Sequence, residues 1–506
     1  MRIRRWRIPG IVLAIGLAAP ILVHGLLAIR QFDGLYGQDP FAYFGYAVGP
    51  LRESVLAGRL PPPFFWPPGY PIAVLGVTAA IGTLPLAGQI VSLASAATLP
   101  ILTYILARSA LPSRFHPPAP LLAGLMVALN PQLWQSSIVV MSDTLALAAA
   151  TAGILCFSMA FSQVNARRTL ILVGLGTGWM ALAVLTRWAY LLPAVPTGLF
   201  IVILISRQSR RTGVIMAALG LIIGLVVLWP VLSPQLSGLL KDRTTSGAFI
   251  GDITVYSWEP ANALRRQFFT ADGLLSYRLP NGLYYSLAPA HNYFFTPLLA
   301  VFLLPGAYSL FRYRSLQYTL LIGGWAGIIF LFHAGAPWQN FRFTLAYLPP
   351  IAIITSAGIA WVLAEVPHRW RTLVWMPVGL GLLWMVFGAI NLPQSFIERK
   401  KQNLAIVESV EEAVPSDAEV IAFNLTLMAD FYTGLKVHEL YYLDQAEISG
   451  LVSGAGKVYL LLTRENILAQ WQGRPPGDNL LWLESNRSVV EVQNFGEYGL
   501  FEVQEP

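Results

Sequence analysis

The stretch Tyr36-Gly-Gln-Asp-Pro-Phe-Ala-Tyr-Phe-Gly-Tyr-Ala47 sets a lone carboxylate, Asp39, at the head of an apolar stripe. From Phe41 the apolar residues Phe41, Phe44, Val48, Leu51 and Val55 recur at helical spacing, with Arg52, Glu53 and Arg59 off the stripe. This pattern predicts an amphipathic helix lying on the outer leaflet of a membrane. Asp39 followed by Pro40 also makes a good N-cap and first-turn pair. Capping is the plainer explanation of the carboxylate, and a role in a surface cleft is the other. The two roles are compatible, because a helix N-terminus keeps a carboxylate ionised.

The rest of the chain supplies the membrane. Of 506 residues, 55% are hydrophobic and 12% charged, with mean hydropathy +0.58. A soluble domain is about 25% charged, so a water-facing globule and a disordered chain are both excluded. The 43 Gly show no triplet period, and the single Cys156 excludes an intrachain disulfide. A bilayer core takes about 20 apolar residues per helix. Eleven such stretches occur, near 9–29, 86–107, 119–138, 144–162, 169–186, 188–205, 213–232, 293–311, 316–333, 342–363 and 372–391.

Charge orients them. With a cytoplasmic N-terminus, the inner loops hold Arg2, Arg4, Arg5, Arg7, Arg108, Arg114, Arg167, Arg168, Arg207, Arg210, Arg211, Arg312, Arg314, Arg369 and Arg371, against one inner acid, Glu365. Every alternate loop obeys the positive-inside rule. The net charge of +7 is therefore a topology signal and implies no nucleic-acid partner. Tyr70–Leu84 is apolar but too short to span, and counting it would place the arginines outside; it is expected to lie in or dip into the outer leaflet. The first apolar run resembles a secretory signal without a clean cleavage site and is expected to be a retained anchor. The expected organisation is a membrane module over 1–391, with outer loops at 30–85 and 233–292, and an extracytoplasmic α/β domain over 392–506. From Glu398 that domain carries 17 acids and 8 bases. Strands are expected at Glu419–Phe423, Lys457–Leu462, Asn479–Leu483, Ser488–Val492 and Gly499–Val503, with a helix over Asn403–Val414.

Walker loops, a Gly-x-Ser-x-Gly elbow, a Rossmann fingerprint and metal-ligand spacing are all absent from the sequence. The spans carry no mid-membrane acid or base, as an ion-coupled transporter usually would. Polar residues gather instead at outer helix ends. Met141-Ser-Asp-Thr144 puts Asp143 where a cap or a second site carboxylate belongs. Trp66-Pro-Pro-Gly-Tyr-Pro71 is a rigid aromatic turn. Gln339-Asn-Phe-Arg-Phe-Thr-Leu-Ala-Tyr-Leu-Pro-Pro350 puts Arg342 at an outer span end, either snorkelling to headgroups or gripping a phosphate. Arg187 has the same two readings. His24 and His333 are expected to be structural. Tyr43, Tyr46, Trp66 and Tyr70 suit either sugar stacking or interfacial anchoring.

Taken in order, the Asp39 loop, Trp66–Pro71, Ser142-Asp143, Arg342–Pro350 and the soluble tail resemble the GT-C superfamily of polytopic glycosyltransferases. The similarity is to the branch of protein O-mannosyltransferases, lipid A aminoarabinose transferases and lipopolysaccharide-core galacturonic acid transferases. The resemblance implies a sugar donor on a polyprenyl phosphate and transfer to an acceptor glycan, lipid or protein on the non-cytoplasmic face. It gives Asp39 the role of base or orienter and Asp143 that of an assisting acid. Arg342, with Arg187, would hold the donor phosphate, and Tyr43, Trp66 and Tyr70 would contact substrate. Many members carry two adjacent acids in the first motif, whereas Gln38 precedes Asp39 here, which bears on a divalent metal more than on a base. The competing expectations are a lipid or polysaccharide transporter or flippase, and a non-catalytic membrane assembly protein.

Overall fold

The computed structural model describes residues 31–115, 118–163, 165–206, 211–222, 224, 226, 258–313, 316–454 and 456–505. The expected anchor 9–29, His24 and the second outer loop as far as residue 257 lie outside the described residues. Among the described residues, seven helices are long and apolar enough to cross a membrane.

The chain enters with a short helix α1 (Gln38–Tyr46) and returns through α2 (Gly69–Ile81). The 13 residues of α2 make roughly 20 Å of helix, short of a hydrocarbon core of about 30 Å. Then follow α3 (Leu86–Ala110), α4 (Pro118–Ala128), α5 (Pro131–Ile138), α6 (Asp143–Phe161), α7 (Ala166–Thr186) and α8 (Leu191–Ser206). After residue 258 come α9 (Leu303–Tyr313), α10 (Leu316–Gly335), α11 (Leu348–Glu365) and α12 (Arg371–Ala413). Apolar side chains of α3 to α12 make one continuous core. Where α9 crosses α11, a Cβ on Gly306 would collide with the Ile354 carbonyl and one on Gly358 with the Phe302 carbonyl. Backbones approach this closely in membrane bundles only across such small residues.

Two expected spans are not single helices. The 119–138 stretch breaks at Asn130, which is extended and accepts the Leu133 N–H on its side chain at 2.9 Å. A residue before proline is pushed out of the helical region, and Asn then caps the next helix. The 293–311 stretch divides into Thr296–Ala300 and α9. The 213–232 span is described only in part.

The expected boundary at 392 falls inside α12, which runs unbroken for 43 residues into the C-terminal domain. That domain is a five-stranded sheet in the order β4-β3-β5-β7-β6. Its strands are β3 (Glu419–Ala422), β4 (Lys436–Glu439), β5 (Val458–Leu462), β6 (Ser488–Asn494) and β7 (Gly499–Gln504), after a hairpin β1 (Gln267–Thr270) and β2 (Gly273–Ser276) in the second loop. β4, β3 and β5 are parallel; β7 and β6 run antiparallel. The strand expected at Asn479–Leu483 is helix instead, within Pro475–Asn486. Pro475 and Pro476 preset the first turn, and Leu480 and Leu483 are buried three residues apart on one helical face.

The domain docks on the first loop. Phe431 and Tyr432, on the helix α13 (Thr426–Tyr432), meet Phe41 edge-on at centroid distances of 5.6 and 5.9 Å. The front of the amphipathic stripe, expected on lipid, is therefore buried against protein, and its end at Val55 stays exposed. Lys400 of α12, buried, pairs with Asp33 and donates to the Tyr432 hydroxyl at 2.7 Å, while Tyr432 donates to Asp33. Replacing Lys400 with Met leaves Asp33 uncompensated in a half-covered site. Lys400→Met is expected to cost about 1–3 kcal/mol, measured as a lowered thermal midpoint together with faster proteolysis of the C-terminal domain.

Candidate active site

Four segments far apart in the chain deliver four charges to one place. Asp39 sits in the first turn of α1, but Gly37, at φ +82°, is the N-cap and no side chain caps this helix. The capping role expected of Asp39 is absent. Its Oδ2 instead accepts from both Nη1 and Nη2 of Arg342, each at 3.2 Å. Asp143 opens α6, and neither it nor Ser142 makes a side-chain cap bond. Its Oδ1 lies 2.6 Å from Arg187 Nη1. Its Oδ2 lies 3.6 Å from Arg342 Nε, too far for a hydrogen bond, and both atoms are buried without one.

Local structure explains each position. Arg187 ends α7 in extended conformation, so its side chain leaves the helix axis toward Asp143. Arg342 begins a 3₁₀ segment, Phe341–Tyr347, capped by Asn340, whose Oδ1 accepts the Arg342 N–H at 3.0 Å. Asn340 is itself fixed, its N–H donating to the Tyr285 hydroxyl at 3.1 Å. The Trp66–Pro71 turn presses α2 onto the end of α7: a Cβ on Gly69 would lie 2.7 Å from the Leu185 carbonyl oxygen. Trp66 stacks on Tyr43 at 5.0 Å, and the Tyr43 and Ser142 hydroxyls are 3.1 Å apart. Burial raises the Tyr43 pKa, so it stays a neutral phenol.

Two cavities share the Asp39–Arg342 pair as their common wall. The smaller, about 210 Å³, is aromatic and holds two acids and two arginines: Tyr43, Trp66, Asp143, Arg187, Trp188, Tyr190, His333, Trp338 and Phe343 line it with Asp39 and Arg342. The larger, about 600 Å³, is lined by neutral polar side chains, among them Gln132, Gln135, Ser136, Asn340 and Ser395, with Arg399 at one side. Of the residues expected to form a site, Asp39, Asp143, Arg187, Arg342, Tyr43 and Trp66 come together. Tyr70 does not: it is fully buried beside α3, donating to the Gly88 carbonyl at 2.9 Å, and lines neither cavity.

Sequence reasoning missed the larger cavity, because Gln132, Gln135 and Ser136 lay inside an assumed span. Five polar residues between Asn130 and Ser137 were the available signal. His333, expected to be structural, is held between the rings of Tyr285 and Phe343 at 5.2 and 5.3 Å and also faces the smaller cavity. Among the described residues no group of three or more His, Cys, Asp or Glu converges. Each site carboxylate is already matched by a guanidinium, so this donor set does not fit a divalent metal.

No protein-family model and no curated protein matches the chain. Solved structures do. The likeness is one of fold, at low sequence identity. ArnT from Cupriavidus metallidurans bound to undecaprenyl phosphate superposes with TM-score 0.60 and 13% identity, over 95% of this chain and 97% of that one. The archaeal oligosaccharyltransferase AglB from Archaeoglobus fulgidus, in complex with an inhibitory peptide and a dolichol-phosphate, superposes with TM-score 0.57 and 13% identity, over 97% of this chain and 74% of that one.

The contact at Gly69 holds the Trp66–Pro71 turn against the end of α7. Gly69→Ala must push α2 off α7, and is expected to lower the thermal midpoint by several degrees, with a cost of about 1–3 kcal/mol. Trp66 fluorescence, read as the change against a Trp66→Phe control, is expected to report the displaced ring.

Proposed function

We propose that this protein is an integral-membrane glycosyltransferase that moves a sugar from a polyprenyl phosphate to an acceptor hydroxyl on the non-cytoplasmic face. The observation that carries the reading is the Asp39–Arg342 pair standing between two unlike cavities. The two structural neighbours are described with undecaprenyl phosphate and dolichol-phosphate bound, which supports a lipid-linked donor for this fold.

In the proposed reaction the donor phosphate enters the smaller, aromatic cavity, where Arg187 and Arg342 supply fork-shaped donors suited to phosphate. The acceptor enters from the larger cavity. Its hydroxyl gives a proton to Asp39 as the oxygen attacks the anomeric carbon. The bond from that carbon to the phosphate oxygen breaks, and its electron pair leaves on the phosphate. A single displacement inverts the anomeric centre. Asp143 holds Arg187 and faces Arg342, keeping both guanidinium groups in place.

Arg342 gives the step an order. While it is shared with Asp39, two of its N–H donors are taken up by the carboxylate. A donor phosphate competing for the same Nη atoms loosens that grip and frees Oδ2 for the acceptor hydroxyl. As the proton moves to Asp39, one negative charge disappears there and one appears on the leaving phosphate. The total charge beside Arg342 is unchanged through the step.

Asp39→Asn is expected to reduce transfer from labelled polyprenyl-phosphate sugars by about 10²–10⁴-fold with the thermal midpoint preserved. Full activity in that variant removes Asp39 from the chemistry. A short polyprenyl phosphate is expected to raise the thermal midpoint of the wild type more than phosphatidic acid does, and Arg342→Ala to lose the difference. Equal protection by both lipids in the wild type overturns the donor assignment.

A further inference from the structure

The larger cavity has a chemistry of its own. The helix α5, the detached half of an apparent span, turns Gln132, Gln135 and Ser136 into it, at the three- and four-residue spacing of one helical face. All three are buried, at 2, 8 and 3% exposure. They are joined to one another, with Gln132 Nε2 donating to Gln135 Oε1 at 3.1 Å and to Ser136 Oγ at 3.4 Å. Across the cavity stand Asn340 and a pair of rings, Tyr36 and Phe396, in edge contact at 5.2 Å. Polar side chains buried this completely are costly unless they find partners. Here they neither cap a helix nor bind an ion. The Asn130 cap of α5 is a separate contact.

Resting on the transferase reading, we propose that this cavity is the acceptor site and that its acceptor is a carbohydrate, presented through neutral hydroxyl groups. Each amide offers a donor and an acceptor at once, and a hydroxyl is the partner that uses both. Ring faces beside the amides suit the apolar face of a sugar. Side-chain amides on one helical turn do not suit a peptide in extended form, which is read through its backbone along a strand edge; no strand lines this cavity. Arg399 at one side of the cavity would take a single anionic group, whereas an anion at the reacting end would meet Asp39, where Arg342 is already engaged. The volume of about 600 Å³ lies within the roughly 300–1,000 Å³ of sites that enclose small ligands. It holds the terminal residues of a glycan.

The test uses the full chain in membranes of its expression host, supplied with polyprenyl-phosphate sugars carrying a radiolabelled sugar. Label is expected in material that resists protease and alkaline β-elimination and is degraded by periodate. Gln135→Leu and, separately, Gln132→Met are expected to raise the KM for that glycan material about tenfold, while protection of the thermal midpoint by a short polyprenyl phosphate stays at the wild-type level. That retained protection shows the variants are folded and the donor site is whole. Label in protein, released by β-elimination, overturns the carbohydrate assignment and leaves the transferase reading standing. Transfer to glycan with KM unchanged in both variants overturns the placement of the acceptor in this cavity. Donor protection with no transfer to any fraction, wild type included, removes the transferase reading and this inference with it.

Discussion

Everything at the centre of this molecule depends on the Arg342 guanidinium, held at 3.2 Å from Asp39 and facing Asp143 at 3.6 Å. The side chain of Asp143 is only 6% exposed. A carboxylate taken out of water to that degree is strongly destabilising unless paired, and Arg187, 2.6 Å away, is its direct partner. Four residues from positions 39, 143, 187 and 342 must therefore reach one point. Each stands at a helix terminus, where the chain changes direction and a side chain can leave the bundle axis. The tight turn at Gly69 and the Asn340 cap set two of those termini against each other. The cluster is neutral when complete, and in the proposed reaction it stays at constant charge.

The C-terminal domain is tied to the same geometry. The helix α12 passes from the membrane bundle into the domain without a break, so the domain is not a pendant on a flexible linker. Lys400 on that helix holds Asp33, six residues before Asp39, and Phe431 and Tyr432 cover Phe41, two residues after it. The helix carrying the proposed base is thus pinned from the solvent side by aromatic packing and from the chain behind it by an ion pair. These contacts flank Asp39 on both sides of the chain. That matters for general-base chemistry, where the carboxylate has to meet one hydroxyl within hydrogen-bond reach.

How much of this was legible in the sequence differs by feature, for physical reasons. Asp39, Asp143, Arg187 and Arg342 stood out because charge at the edge of an apolar run is costly and calls for a cause. Their convergence was not legible, because ion pairs across 303 residues leave no periodic trace. Asp39–Pro40 and Ser142-Asp143 both read equally well as caps, and only the backbone at Gly37 and the side-chain directions decide against that. Tyr70 shares a motif with Trp66 but lies on the other side of the Gly69 contact, so four residues of spacing put one ring at the cavity and bury the other. The strand expected at Asn479–Leu483 failed on the proline pair just before it, a helix-starting signal outweighed by an apolar run. The boundary at 392 failed because an apolar stretch ends where its helix does not.

The misread span at 119–138 is the most instructive of these. A window of about 20 residues averages hydropathy, and the leucines and alanines of α4 outweigh the amides and hydroxyls of α5. Averaging erases the feature that separates a lipid-facing helix from one that lines a cavity, namely polar residues kept to a single face. The decisive local signal was Asn130-Pro131, which forbids a continuous helix there and turns one apparent span into a buried half-helix followed by a polar one. The same fold recurs in ArnT and AglB at 13% identity; at that distance the fold is common property. The side chains of α5 belong to this chain, and under the proposed reading they, with the charges at 39 and 342, are where a choice of acceptor would be written.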